Sequence, residues 1–427
     1  MTNSCAAMKL PKTVSKSISS LTLLCLRYVV VVSLIMGLGA CAAEEAAFDW
    51  ESASWEEIVS EAEGSQVSFH MWGGSSIINA WIRGFVSEQM SERYGITLEM
   101  VPMEAPVFVN RLLAEREANR TRGSIDLMWI NGENFKRAKE ANVLAGPIVD
   151  LLPNFQSYVA PETAAYDFGY PTDGYEAPYG RAQFVFEYDS AGPHGHFTSY
   201  AELPDWVRQN PGVFTYPEPS DFTGSAFVRQ AFLALNGGSD AFLEGWDADL
   251  YAEASAKLWP YLRDIAPYLW QEGRSYPREL AMLDTLFERG EVVINMSYTQ
   301  ANAQQRILEG RYPNTVRSFV PAEGSVFGTH FTAMAFNAPN PAGALVLANL
   351  LLDPAVQASK NDPANWGDFT VLEMDRLSAE DRARFEALDL GEPTLSLEEL
   401  GAAAIPEIPA QYIEALQDDW YTYVLED

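Results

Sequence analysis

From Gly64 onward, short apolar runs alternate with helical stripes along the chain. Val67, Phe69 and Met71 alternate with Ser68, His70 and Trp72, the period of a strand with one buried face. Gly73 and Gly74 break that run and Ser75 or Ser76 can cap a helix. Its apolar stripe is Ile78, Ile82, Phe85, Val86 and Met90, with Gly95 as the stop. The theme recurs as a strand near 96–101, a helix near 107–118 and a strand at 125–130. Strands alternating with amphipathic helices predict an α/β unit with a mostly parallel sheet. A stretch rich in Pro and Gly over 146–180 interrupts the pattern, and 183–188 then has a strongly β character. Further on, Leu280, Leu283, Leu286 and Phe287 form a helical stripe ended by Gly290, followed by Val292, Val293 and Ile294 as a buried strand. A last β segment, 330–336, feeds a helix with Asn340 as N-cap, Pro341 in its first turn and Leu345, Leu347, Leu350 and Leu351 along it. No short-period repeat is present, which argues against solenoids and propellers.

Two α/β blocks joined by two β segments predict a two-lobed molecule. Residues 64–183 and 327–427 would form the first lobe and 184–326 the second, with 183–188 crossing out, 330–336 crossing back and the lobes hinging there. A chain of 427 residues exceeds the usual size of one domain, which agrees with two. Ahead of the lobes, Lys9, Lys12, Lys16 and Arg27 precede an apolar run over 28–36, and Leu38, Gly39 and Ala40 lead into Cys41. Residues 1–40 therefore read as a secretory signal. The small residues before Cys41 resemble the lipobox of bacterial lipoproteins, in which the cysteine is acylated and becomes the first residue. Residues 41–63 hold eight acids and no base, a solvated tether ending in a short helix near 55–62.

Charge then narrows the partners. With 28 Lys and Arg against 59 Asp and Glu the formal net charge is -31, so a phosphate backbone would be repelled and nucleic acid is not expected as a partner. Cys5 and Cys25 would leave with the signal and Cys41 would carry lipid, so neither disulfides nor a thiolate metal site is expected. No later stretch approaches the roughly 18–20 uninterrupted apolar residues of a membrane helix. The expectation is an exported soluble body, in the periplasm or at the cell surface, held at a membrane by lipidated Cys41.

Enzyme motifs do not emerge. The lysines after Cys41 are Lys136, Lys139, Lys257 and Lys360, none behind a glycine, so no Walker A loop is present; Gly-x-Ser-x-Gly and His-Glu-x-x-His are also lacking. His194 and His196 can share a metal from an extended segment, although the Gly and Pro around them favour a surface loop; His70 and His330 read as hydrogen-bonded strand residues. No cofactor, metal or catalytic residue is therefore expected. Polar loops at the ends of predicted strands, where open α/β sheets bind ligands, stand out instead. The first is Trp72, Gly74 and Ser75, where backbone can approach a ligand and helix N–H groups can hold it. Next is Asn131, Gly132 and Glu133, either a turn or a small-molecule contact beside Trp129. The third, Asp221, Phe222, Thr223 and Ser225, opens an apolar helix over 226–235, where capping is the alternative. Arg181, Gln183, Ser297 and Tyr298 complete a polar lining. Helix starts favour an anion and the aromatic residues favour a cation or flat ring, so the solute stays open.

Several runs together resemble the extracellular solute-binding proteins of bacterial ABC importers, within them a subfamily related to thiamine, iron and polyamine binders. They are Trp72-Gly73-Gly74, Asp126 through Phe135, Pro178 through Gln183, Asp221 through Ser225, Leu286 through Ile294 and Leu350 through Gln357. The resemblance implies a type II-like periplasmic-binding-protein fold. Such a protein is a monomer that closes on one small solute, performs no covalent chemistry, and docks on a permease with its ATPase. The contrasting expectation, an exported hydrolase on a two-lobed α/β scaffold, would need a carboxylate such as Glu133 for turnover.

Overall fold

Val67, Phe69 and Met71 do line the buried side of a strand, β1 (Gln66–Met71), each without exposed surface. The computed structural model describes residues 48–425, so the expected signal, Cys41 and the start of the acidic tether lie outside the described residues. Helix α1 (Trp55–Ala62) opens on a capping box in which Ser54 and Glu57 exchange hydrogen bonds, and it buries Ile58 and Ala62. After β1 come α2 (Ser76–Trp81), capped by Ser75, a π turn over Ile82–Val86, and α3 (Ser87–Tyr94), which stops at Gly95 with φ 67°. Then follow β2 (Thr97–Pro102), α4 (Ala105–Glu117), β3 (Leu127–Ile130), α5 (Gly132–Glu140) and β4 (Leu144–Ala145). β1 pairs in parallel with both β2 and β3, as strand–helix–strand connections require.

The Pro- and Gly-rich stretch is not wholly irregular. It holds a small hairpin, β5 (Tyr166–Asp167) with β6 (Tyr170–Pro171), and the long strand β7 (Glu176–Gln183). Pro178 is tolerated in β7 because the register against its neighbour shifts there, between His330 and Phe331. The expected continuous segment over 183–188 is in fact two strands. β7 ends at Gln183, buried Phe184 intervenes, and β8 (Val185–Asp189) begins a different sheet.

Around β8 the chain adds α6 (Phe222–Leu235), α7 (Ala248–Ile265), α8 (Leu280–Glu288), β9 (Ile294–Ser297) and β10 (Val316–Phe319). α6 is buried from Thr223 to Leu233, the state its nearly uniform apolar run dictates. The chain then returns through β11 (Ser325–Ala335) to α9 (Pro341–Leu350), with Asn340 capping and Pro341 in the first turn as expected, and α10 (Pro354–Asn361). α1 packs against α9. Last come β12 (Ala404–Pro406) and α11 (Ala410–Trp420).

Among the described residues the first sheet has seven strands in the path β12-β11-β3-β1-β2, with β4 and β7 also on β11. It is mixed rather than mostly parallel. β11 runs antiparallel to β3, β4 and β7 because it enters from the far sheet, at the end where β3 leaves. The second sheet, β10-β8-β9, is antiparallel throughout, so the second block is not a parallel α/β unit. One aromatic-rich core joins this sheet to α6 and α7 through Phe186, Phe227, Phe232 and Trp259, and Tyr412, Ile413, Leu416 and Trp420 of α11 lie in it. Among the described residues no single helix is long and apolar enough to cross a membrane.

Candidate functional site

The strand ends of the first sheet form one wall of a cleft. Past β1, the Trp72 ring folds over the backbone of Gly74, so closely that a Cβ on Gly74 would overlap it, while Trp72 stays 41% exposed. Ser75 is occupied as a cap, its hydroxyl accepting from the Ile78 N–H at 3.4 Å. Past β3, Trp129 Nε1 donates to Asn131 Oδ1 at 3.0 Å, and Asn131 Nδ2 donates to the Thr329 carbonyl at 2.7 Å. Residues 131–134 are therefore the start of α5 rather than a loop, with Gly132 at φ 61° and its N–H donated to buried Asp167. Only glycine takes this backbone shape without strain, and the Phe168 ring would lie 3.5 Å from any Cβ.

The second wall is the start of α6. Asp221 caps it, accepting from the N–H groups of Thr223 at 2.8 Å and Gly224 at 3.0 Å, and also from Leu280 N–H at 3.0 Å. Phe222 remains half exposed and lies edge-on to Tyr298 at 5.0 Å and to Phe168 of the first wall at 6.4 Å. Ser225 and Tyr298 turn inward to a pair that the sequence did not bring forward. Arg229 donates to both oxygens of Glu407, at 2.9 and 2.8 Å, and to Ser225 Oγ at 2.8 Å, while Tyr298 OH donates to Glu407. A lone arginine in the apolar run of α6 was the available signal for it. The Arg229 guanidinium also lies 5.8 Å from the Phe168 ring centre and 5.5 Å from that of Phe222.

Other expected lining residues hold backbone instead. Gln183 is buried and its Nε2 donates to the Leu400 carbonyl at 2.9 Å. Ser297 Oγ accepts from Thr299 N–H at 3.0 Å, and Thr223 is buried within α6. Arg181 donates to Thr163 Oγ1 at 3.0 Å, and its carbonyl accepts from Gln300 Nε2 at 2.9 Å. His194 and His196 bond separately, to Asn210 and to the Phe197 carbonyl, and no cluster suited to a metal occurs among the described residues. A cavity of about 420 Å³ is lined by Asp167, Phe168, Gly328, Thr329 and Glu407 among others.

Acids dominate the electrostatics of both walls. Burial raises the Glu104 carboxyl, and Asp221 on the opposite wall raises it further. Glu133 keeps contact with solvent yet has protein around most of it; this crowding raises its pKa first, then Glu414 of α11, against a smaller pull from Arg229. Asp167 is pushed up to about 7 by burial, partly offset by its bonds from Gly132 and Asn131 and reinforced by Glu407 and Glu133. The donors at the starts of α5 and α6 that an anionic solute would use are thus already taken by Asp167 and Asp221.

Residues 86–365 match the family described as bacterial extracellular solute-binding protein. A protein of Escherichia coli (strain K12), Protein YnjB, is 37% identical over 372 residues, which is 86% of this chain and 93% of that protein. Among solved structures, the periplasmic binding protein AfuA from Actinobacillus pleuropneumoniae, with fructose-6-phosphate bound, superposes with a TM-score of 0.58 at 12% identity, covering 85% of this chain and 99% of its own. The spermidine/putrescine substrate-binding protein PotD from Streptococcus pneumoniae gives 0.57 at 12% identity over 84% and 99%. At such identities the structural likeness shows a shared fold.

Proposed function

The chain belongs to the bacterial extracellular solute-binding proteins, the exported subunits that capture a small solute for an ABC importer, and we propose that the solute of this member carries positive charge. One observation supports the reading: the charge of Asp221 acts on Glu104 and that of Glu414 on Glu133, each adding to the rise that burial gives the carboxyl. Closing the walls brings like charges together, and a cation between them removes the repulsion. Trp72 and Phe222, exposed on opposite walls, add ring faces and edges that suit an organic cation. Of the solutes named for the structural relatives, polyamines fit this pattern and a sugar phosphate does not.

We place the hinge at Phe184 and at residues 320–324, and assign α11 to the second lobe on the strength of its core contacts, which adds a third crossing near Glu407. The run ending at Cys41 supports export and a lipid anchor at that residue. A monomer that binds without covalent chemistry, and hands its solute to a permease powered by an ATPase, completes the proposal. Thermal unfolding of the purified chain with spermidine, choline, thiamine, inorganic phosphate and fructose 6-phosphate tests it. A solute at 100 times its Kd adds about 2.7 kcal/mol of stability. Stabilisation by a cation is expected; stabilisation by the anions alone overturns the charge assignment.

A further inference from the structure

His330 lies in β11 opposite Gly180 of β7, one residue beyond Thr329, whose carbonyl anchors Asn131. That position is level with the end of β3, where Phe331 pairs with Ile130. Its ring meets Trp129 edge-on at 4.8 Å and stacks on Trp366 at 6.0 Å and 30°. Behind it is a closed ion pair: Asp368 Oδ2 to Lys360 Nζ at 2.8 Å, the two side chains 1% and 0% exposed. Lys360 also donates to the Tyr179 carbonyl and lies 5.2 and 5.4 Å from the ring centres of Tyr179 and Trp366. The other carboxylate oxygen, Oδ1, has no hydrogen-bond partner and faces His330 Nε2 at 3.4 Å.

A buried acceptor left unsatisfied is costly, so a donor that turns toward it is favoured. His330 Nε2 is within reach. Its side chain is 17% exposed, while Tyr179, Lys360, Trp366 and Asp368 around it are buried. We infer that His330 is a solute-contacting residue of the cleft floor, with Asp368 and Lys360 as the positioning residues behind it. When Nε2–H turns to Asp368, Nδ1 keeps its lone pair and offers an acceptor to an N–H donor of the solute. The inference rests on the proposed solute-binding reading and names one contact within it.

Histidine-selective ¹⁵N NMR on the exported chain tests this, with His330→Asn identifying the signal and spermidine, choline and thiamine as probes. In the free protein we expect the Nε2–H tautomer for His330 and a changed tautomer population in Asp368→Asn. A probe that raises the melting temperature should move the Nδ1 resonance. Its affinity should fall about tenfold in His330→Ala and recover in His330→Asn, whose amide oxygen replaces the acceptor. A probe that stabilises the protein while leaving the Nδ1 resonance and the His330→Ala affinity unchanged overturns the contact and leaves the function standing. If no probe stabilises the protein, the solute reading fails, and a tautomer unmoved by Asp368→Asn overturns the positioning role as well.

Discussion

Arg229 and Glu407, 178 positions apart, meet in a two-point ion pair with side chains 1% and 4% exposed. Glu407 sits between β12 of the first sheet and α11 in the core of the second, so the pair fixes the last passage of the chain to α6. Removing one partner strands a buried charge. Arg229→Met or Glu407→Gln should each cost about 3–5 kcal/mol, and the double variant less than the sum. Urea unfolding measures this, and single losses below about 1 kcal/mol would show the pair to be incidental.

Stability should rise on mild acidification, the reverse of ordinary acid denaturation. Burial pushes both Asp167 and Glu187 up to about 7; Glu187 is enclosed with Asn295 and Asn302 donating to it at 3.0 Å. Between the usual carboxylate range and pH 7 the folded state keeps protons that the unfolded chain releases, so stability falls as pH rises through that window. The loss is on the order of 3 kcal/mol per group. Melting temperatures from pH 5 to pH 8 should decline, and Asp167→Asn with Glu187→Gln should flatten the slope.

Gly180 is a glycine whose replacement should be costly. A Cβ there would overlap both Asp368 and Lys360, whereas Gly84 has nothing within 4 Å. Gly180→Ala should break the pair behind His330 and lower soluble yield or the melting temperature sharply. Gly84→Ala, in a helical turn, should be neutral or stabilising by up to about 1 kcal/mol. Equal effects from the two would refute the packing argument.

Glu133→Gln and Glu104→Gln should weaken binding of a cationic solute without harming the fold. Each contributes about 1 kcal/mol at low salt, a factor of roughly five in Kd, and the difference should shrink as salt is added. Calorimetric titration at two salt concentrations checks it; tighter cation binding in either variant would contradict the assigned charge.

Much of the first lobe was legible because its signals are local. Alternation at Val67–Phe69–Met71, the stop at Gly95 and the cap at Asn340 depend on neighbours within one element, and all appear where the pattern puts them. β7 was hidden because Pro178 and Gly180 break strands in most settings. Here a register shift accommodates Pro178, and the bare Cα of Gly180 makes room for Asp368 and Lys360. The site was legible as strand ends but not as partners. That Asp221 is spent on capping, that Gln183 faces Leu400, and that Arg229 waits for Glu407 are long-range facts, invisible to spacing.

The place of α11 has a consequence for the timing of folding. Tyr412, Ile413, Leu416 and Trp420 lie in a core whose other members begin at Ala182, so this part of the packing closes only after α11 has been made. A chain without α11 therefore lacks that part of its packing. The last helix to be made thus takes part in the final consolidation of the core.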